Sequence, residues 1–170
     1  MSTPQKETVT YTASHLPSGE RMSLWILGQL MTFKVHDESA TVGIFEIETP
    51  PEGGAPPHLH RTQDETHYVL EGDFEFVLGD RKVDARPGSV VYVPRTTVHA
   101  YTNVGTEMGK LLFIEAPAGP LERFLEEIGE PVSDLASPQG LPPDMDKLQA
   151  SAQRTRGIEF VVPSEEEVSY

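Results

Sequence analysis

Gly53-Gly54-Ala55-Pro56-Pro57-His58-Leu59-His60-Arg61-Thr62-Gln63-Asp64-Glu65 places two histidines one residue apart and an acid a few positions later. On an extended strand, residues two apart point to the same face, so the His58 and His60 imidazoles converge on one point. Glu65 follows a short excursion that can fold back, and its carboxylate would close three sides of a cation site. The best fourth candidate is His99, which follows a strand over Ser89 to Val93 and a tight turn, Pro94-Arg95-Thr96-Thr97, able to aim it inward. Taken singly, each histidine reads as a surface residue or a hydrogen-bonded core residue. With six histidines in 170 residues, an HxH pair near an acid also has a real chance rate.

Outward from this stretch, Val and Ile alternate with polar residues in short runs broken every eight to twelve residues by Gly, Pro and Asp. That is the rhythm of antiparallel β structure. Strands are predicted over Thr8 to Thr12, Gln29 to Val35, Thr41 to Glu48, Pro57 to His60, Thr66 to Glu71 and Phe74 to Leu78. Further strands are predicted over Lys82 to Ala85, Ser89 to Val93, Ala100 to Asn103 and Lys110 to Glu115. Turns fall at Gly72, Gly79 and Pro87-Gly88.

The rhythm changes after Pro120. Leu121, Phe124, Leu125 and Ile128 share one helical face, with Gly129 as the stop. A proline-rich connector, Pro131 to Pro143, precedes a second helix capped by Asp144 and running to about Arg156. Ile158 to Val162 adds a last strand. Both helices read as structural cover for a barrel end or a dimer surface.

A chain of 170 residues that is 37% hydrophobic is of a size for one globular domain. A net charge of -14 argues against nucleic-acid and membrane partners. No apolar run spans a bilayer and the N-terminus lacks a secretory pattern, so a cytoplasmic location is expected. With no cysteine, any metal must be held by nitrogen and oxygen.

His58-x-His60, four residues, Glu65, six residues, Gly72 resembles the first motif of the cupin superfamily. Gly88, five residues, Pro94, then His99, three residues and Asn103 resembles the second, with Thr96 where the family usually has glycine. Gly53 and Gly54 stand slightly nearer His58 than the first motif asks. Ile47 to His60 and Ala116 to Phe124 resemble the bacterial single-domain cupins that include quercetin 2,3-dioxygenase. The resemblance implies an all-β cupin jelly roll, a double-stranded β-helix barrel, with short C-terminal helices. The expected organisation is one cupin domain over residues 1–170, its barrel core at about 23–116 and a helical extension at about 120–157.

It also implies that His58, His60, Glu65 and His99 coordinate one divalent transition metal per chain. Three imidazoles and a carboxylate suit Fe, Mn, Ni, Co, Cu or Zn better than Mg or Ca, without choosing among the six. Under the dioxygenase resemblance, a flavonol or similar enolisable aromatic loses its 3-hydroxyl proton to Glu65 and binds as the enolate. Reaction with O2 then opens its ring with loss of carbon monoxide. A small-molecule substrate, aromatic and joined by O2 in this reading, is the expected partner, together with a second chain in a homodimer. The alternatives are a non-redox isomerase, cyclase or lyase in which Glu65 or His67 moves a proton, and a small-molecule-binding cupin without turnover.

His67 lies two residues after Glu65, on the same expected face, where related cupins often carry an aromatic ring. It is a candidate proton-transfer and pocket residue, against the plainer reading of a buried histidine satisfied by a carbonyl. Tyr101, two after His99, is expected to line the same pocket. Phe74, Phe76 and Leu78 read as core, and His15 and His36 as surface.

Overall fold

The computed structural model describes residues 22–35, 40–132 and 145–161. The predicted strand at Thr8 to Thr12, His15, His36, Asp144, Val162 and most of the proline-rich connector lie outside them. In chain order the elements are β1 (Met22–Ile26), β2 (Gln29–Val35), β3 (Gly43–Thr49), β4 (Gly54–His60), β5 (Asp64–Glu71), β6 (Phe74–Leu78), β7 (Arg81–Ala85), β8 (Val90–Val93), β9 (His99–Asn103) and β10 (Gly109–Ala116). Then follow α1 (Pro120–Ile128), β11 (Glu130–Pro131), α2 (Met145–Thr155) and β12 (Ile158–Phe160).

The strands build two antiparallel sheets, one in the order β11-β1-β2-β3-β10-β5-β8 and the other β12-β4-β9-β6-β7. Alternation decides which residues fill the space between them. In β10, Leu111, Phe113 and Glu115 are buried while their neighbours are half-buried. Phe45, Ile47, Val69, Phe74, Phe76 and Leu111 form the centre of this apolar core. The result is the expected all-β jelly-roll barrel. The predicted turns at Gly72, Gly79 and Gly88 adopt φ of 85°, 62° and 92°, open to glycine without strain. Thr96 takes φ 68°, the left-handed conformation that glycine would adopt freely.

Residues after 120 do more than cover an end. β11 pairs with β1 and β12 with β4, so this extension gives a strand to each sheet. In α1 the expected face, Leu121, Phe124, Leu125 and Ile128, is buried, and Glu122 is buried with it. The Gly119 N–H donates to the Glu122 carboxylate, and the Gly129 N–H closes the helix on Leu125 O. Gly129 ends it in an extended conformation rather than a left-handed one.

Candidate metal centre

Alternation along β4 turns His58 and His60 inward together, and they are 6% and 2% exposed. β9 pairs with β4 so that His99 stands directly opposite His58, with ring centroids 4.1 Å apart. Beyond a register shift, at the other end of this ladder, β4 approaches β9 at Gly54, where a Cβ would lie 1.9 Å from Tyr101 O, so only glycine admits the approach. Glu65 enters from the other sheet, at the start of β5.

Two contacts hold the Pro94–Thr97 turn that delivers His99. The Thr96 N–H donates to His60 O at 2.7 Å, fastening the turn to the end of β4. Asp64 accepts 2.9 Å hydrogen bonds from the backbone N–H and the guanidinium of Arg95, fastening the turn to the start of β5. These Arg95 hydrogen bonds hold the Asp64 carboxyl down at about 2.

The four side chains offer ligand atoms that all lie within 4.8 Å of one another. Glu65 Oε1 is 2.7 Å from His60 Nε2, and Oε2 is 2.8 Å from His99 Nε2. The Nδ1–H of His58 donates to Pro56 O at 2.8 Å and that of His99 to Thr97 O at 3.0 Å. For His58 that bond leaves the Nε2 lone pair free, as a metal-ligating imidazole requires, while His99 Nε2 faces the Glu65 carboxylate. Burial, reinforced by His99 and His60, depresses His58 to about 3, so its ring is neutral. Burial works against charge on Glu65 as well. Even so, His60 and the hydrogen bonds from His60, His67 and His99 hold its carboxyl well below the usual range. Among the described residues this buried carboxylate has no Lys or Arg partner. A buried carboxylate facing three imidazoles is a donor set that fits a divalent transition metal.

His67 and Tyr101 both lie inside the barrel, as the strand period implies. His67 Nε2 is 3.4 Å from Glu65 Oε2, and its ring packs against Phe113, Phe76 and Tyr101 at 4.9, 5.2 and 5.6 Å. Burial lowers its pKa, and its Nδ1 has no hydrogen-bond partner. The Tyr101 hydroxyl is committed to Gln29 Oε1 at 2.8 Å, which Thr49 also donates to at 2.9 Å. Burial raises its pKa. Tyr101 therefore presents its ring to the interior while its hydroxyl joins a structural network.

Three interior groups escaped the sequence reading. Gln63 donates to Glu115 Oε2 at 2.6 Å and to Pro117 O at 2.9 Å. Glu115 stands opposite Glu65 across the β5–β10 ladder. Glu122 reaches in from α1 over Gly43, where a Cβ would lie 2.6 Å from Glu122 Oε1 and 3.0 Å from Glu115 Oε1. Strict alternation in Leu111-Leu112-Phe113-Ile114-Glu115 was the available signal for Glu115. Phe160 was likewise unassigned; it lies opposite His58, with ring centroids 6.2 Å apart.

Residues 45–115, which contain all four candidate ligands, match the family described as Cupin domain. An uncharacterized protein of Methanocaldococcus jannaschii is 33% identical over 60 residues, covering 35% of this chain and 48% of that one. The chain thus spans about half the length of that relative. KdgF from Halomonas sp. superposes with a TM-score of 0.58 at 20% identity, over 64% of this chain and 96% of KdgF. A predicted oxalate decarboxylase from Thermotoga maritima gives 0.57 at 18% identity, over 61% and 99%. At such identities the structural likeness speaks for the fold. Residues 45–115 thus resemble a cupin domain, and the fold is the one shared with KdgF and the Thermotoga maritima protein.

Proposed function

We propose that this chain is a single-domain, metal-dependent cupin enzyme, a dioxygenase that opens a flavonol or similar enolisable aromatic ring. The observation that carries the proposal is the buried set His58, His60, Glu65 and His99, whose ligand atoms lie within 4.8 Å of one another. A divalent transition metal held there would supply Lewis acidity and, for a redox-active ion, electron exchange with O2.

The remaining chemistry belongs to the side chains. Glu65 is the only carboxylate in the ligand set, and as an ionised group it can take a proton from an acidic substrate hydroxyl. His67 Nε2, 3.4 Å from Glu65 Oε2, can receive that proton or hold the carboxylate in place. The rings of Phe76, Tyr101 and Phe113 pack around His67 and keep water from it.

The test is to load the metal-free protein with each of the six metals and follow O2 and carbon monoxide with quercetin. O2 uptake with stoichiometric carbon monoxide supports the proposal; neither signal with any metal overturns the flavonol reading. The His67–Glu65 contact specifically favours a second reading, a non-redox isomerase, cyclase or lyase working by proton transfer alone. Product formation under nitrogen would select it.

A further inference from the structure

A groove of about 450 Å³ lies between α2 and β12, a volume typical of small-molecule sites. Gln149 and Gln153, four apart on one face of α2, line one side, and Arg156 follows them just after the helix. Ile158 and Phe160 of β12 line the other side with Arg61, the residue after β4. Amides and guanidinium groups thus stand over an apolar strip. None of the four candidate metal ligands lines the groove, yet it adjoins them: Ile158 is the ladder partner of His60 and Phe160 of His58.

The two arginines are held differently. Arg61 donates from Nε and Nη2 to Glu159 Oε2, which fixes its guanidinium, and its Nη1 has no partner among the described residues. Arg156 is exposed and has no ion-pair partner among the described residues. Its backbone has φ 56°, the left-handed conformation, and its N–H closes α2 on Ala152 O at 2.9 Å. Glycine is the usual occupant of that position. The neighbouring glycine has another use: at Gly157 a Cβ would lie 2.8 Å from the Pro120 carbonyl carbon. Packing of the turn therefore accounts for Gly157 but not for Arg156, and strain of this kind gathers at ligand sites. With Glu159 counted, the groove holds two positive charges and one negative in a chain of net charge -14.

We propose that this groove binds an aromatic carboxylate, its carboxylate paired with Arg156 and its ring laid against Phe160 and Ile158. The local excess of positive charge selects an anion. A guanidinium fork matches the two oxygens of a planar carboxylate, and the fixed charge of Arg61 supports the same group. The apolar strip selects a ring, because a small inorganic anion would leave Phe160 and Ile158 wet. Gln149 and Gln153 can donate to or accept from hydroxyl groups on that ring. The inference is independent of the metal and of the reaction.

Calorimetric titration of the full-length protein with 2-naphthoate, as purified and again after chelation of metal, should give the same affinity within a few-fold. Nuclear Overhauser contacts from the naphthoate protons should reach Phe160 or Ile158. Arg156→Gly should weaken binding about tenfold or more, as loss of a charged hydrogen bond does. The same change relieves the left-handed backbone, so the variant should resist urea at least as well as wild type, which separates lost binding from lost folding. Arg156→Gln, which keeps a side chain there, should weaken binding likewise, and Arg81→Gln on the exposed strand β7 should change nothing. The neutral 2-naphthalenemethanol and inorganic phosphate, an anion without a ring, should each bind about tenfold more weakly or worse. No binding of naphthoate, binding lost with the metal, binding untouched by either Arg156 variant, or phosphate bound as tightly as naphthoate would overturn the inference.

Discussion

Replacing Glu115 with Gln should remove a pH dependence of stability that the wild-type barrel carries above neutrality. Glu115 is fully buried, and burial together with Glu122 pushes its carboxyl up to about 11. A proton held by Glu115 would satisfy the pair: Glu115 Oε2 accepts from Gln63, Glu122 Oε2 accepts from Gly119, and the Oε1 atoms of both carboxyls lie buried beside Gly43. Because the folded pKa is raised above the ordinary 4.5, the folded chain keeps a proton that the unfolded chain releases. The stabilisation is full below pH 4.5 and is lost as pH rises toward 11. One proton corresponds to about 1.4 kcal/mol per pH unit, hence about 2.7 kcal/mol between pH 7 and 9. Glu115→Gln keeps both hydrogen bonds, its NH2 donating to Glu122 and its oxygen accepting from Gln63, but carries no titrating proton. Urea unfolding of metal-free wild type and variant at pH 7, 8 and 9 measures the difference in slope. That difference also removes the contribution of His99, whose pKa Glu65 holds up against the effect of burial. Equal slopes would refute a proton held by Glu115.

The other expectations concern the site and its supports. His58→Ala with His60→Ala should lower bound metal from about one ion per chain to none by elemental analysis, and unchanged stoichiometry would dismiss the ligand set. His67→Phe should keep metal and fold yet reduce turnover about a hundredfold if the imidazole moves a proton, whereas a rate within a few-fold of wild type would make it a packing residue. Gly54→Ala must push β4 from β9, costing about 3 kcal/mol or more by overpacking and weakening metal retention; a thermal midpoint near wild type would contradict the 1.9 Å approach. Thr96→Gly relieves a left-handed conformation worth about 1–2 kcal/mol against about 0.5–1 kcal/mol of added chain entropy. The variant should therefore be as stable as wild type or up to about 1.5 kcal/mol more so, and clear destabilisation in urea would count against strain at that turn.

What the sequence made legible was governed by the range of the interactions. His58 and His60 declare themselves because a two-residue period is local, and Phe74 to Leu78 and Gln29 to Val35 were bounded correctly for the same reason. β1 has the pattern Met22-Ser23-Leu24-Trp25-Ile26 and a tight Leu27-Gly28 turn with φ of 52° and 75°, a hairpin signal that was present but unread. β11 is two residues including Pro131 and has no periodicity to read. The Glu115–Glu122 pair was beyond reach for another reason. Its space comes from Gly43 on β3, its hydrogen bond from Gln63 and its partner from α1, so four separated segments must meet before either glutamate can be buried.

The site is one rung on each sheet. Phe160, His58, His99 and Leu78 are successive ladder partners across β12, β4, β9 and β6. Val93, Glu65, Glu115 and Gly43 are successive partners across β8, β5, β10 and β3. Phe160 and Leu78 flank the two histidines of the first rung, and Val93 closes one end of the second, so apolar side chains adjoin the polar groups along the sheets as well as across the barrel. A one-residue slip in β9 would turn His99 to the outer face, and a two-residue slip would keep it inside but move it off the rung. Ligand geometry is therefore a property of register. The contacts that hold register at this end, Thr96 to His60 and Arg95 to Asp64, are then as much a part of the candidate metal site as the imidazoles.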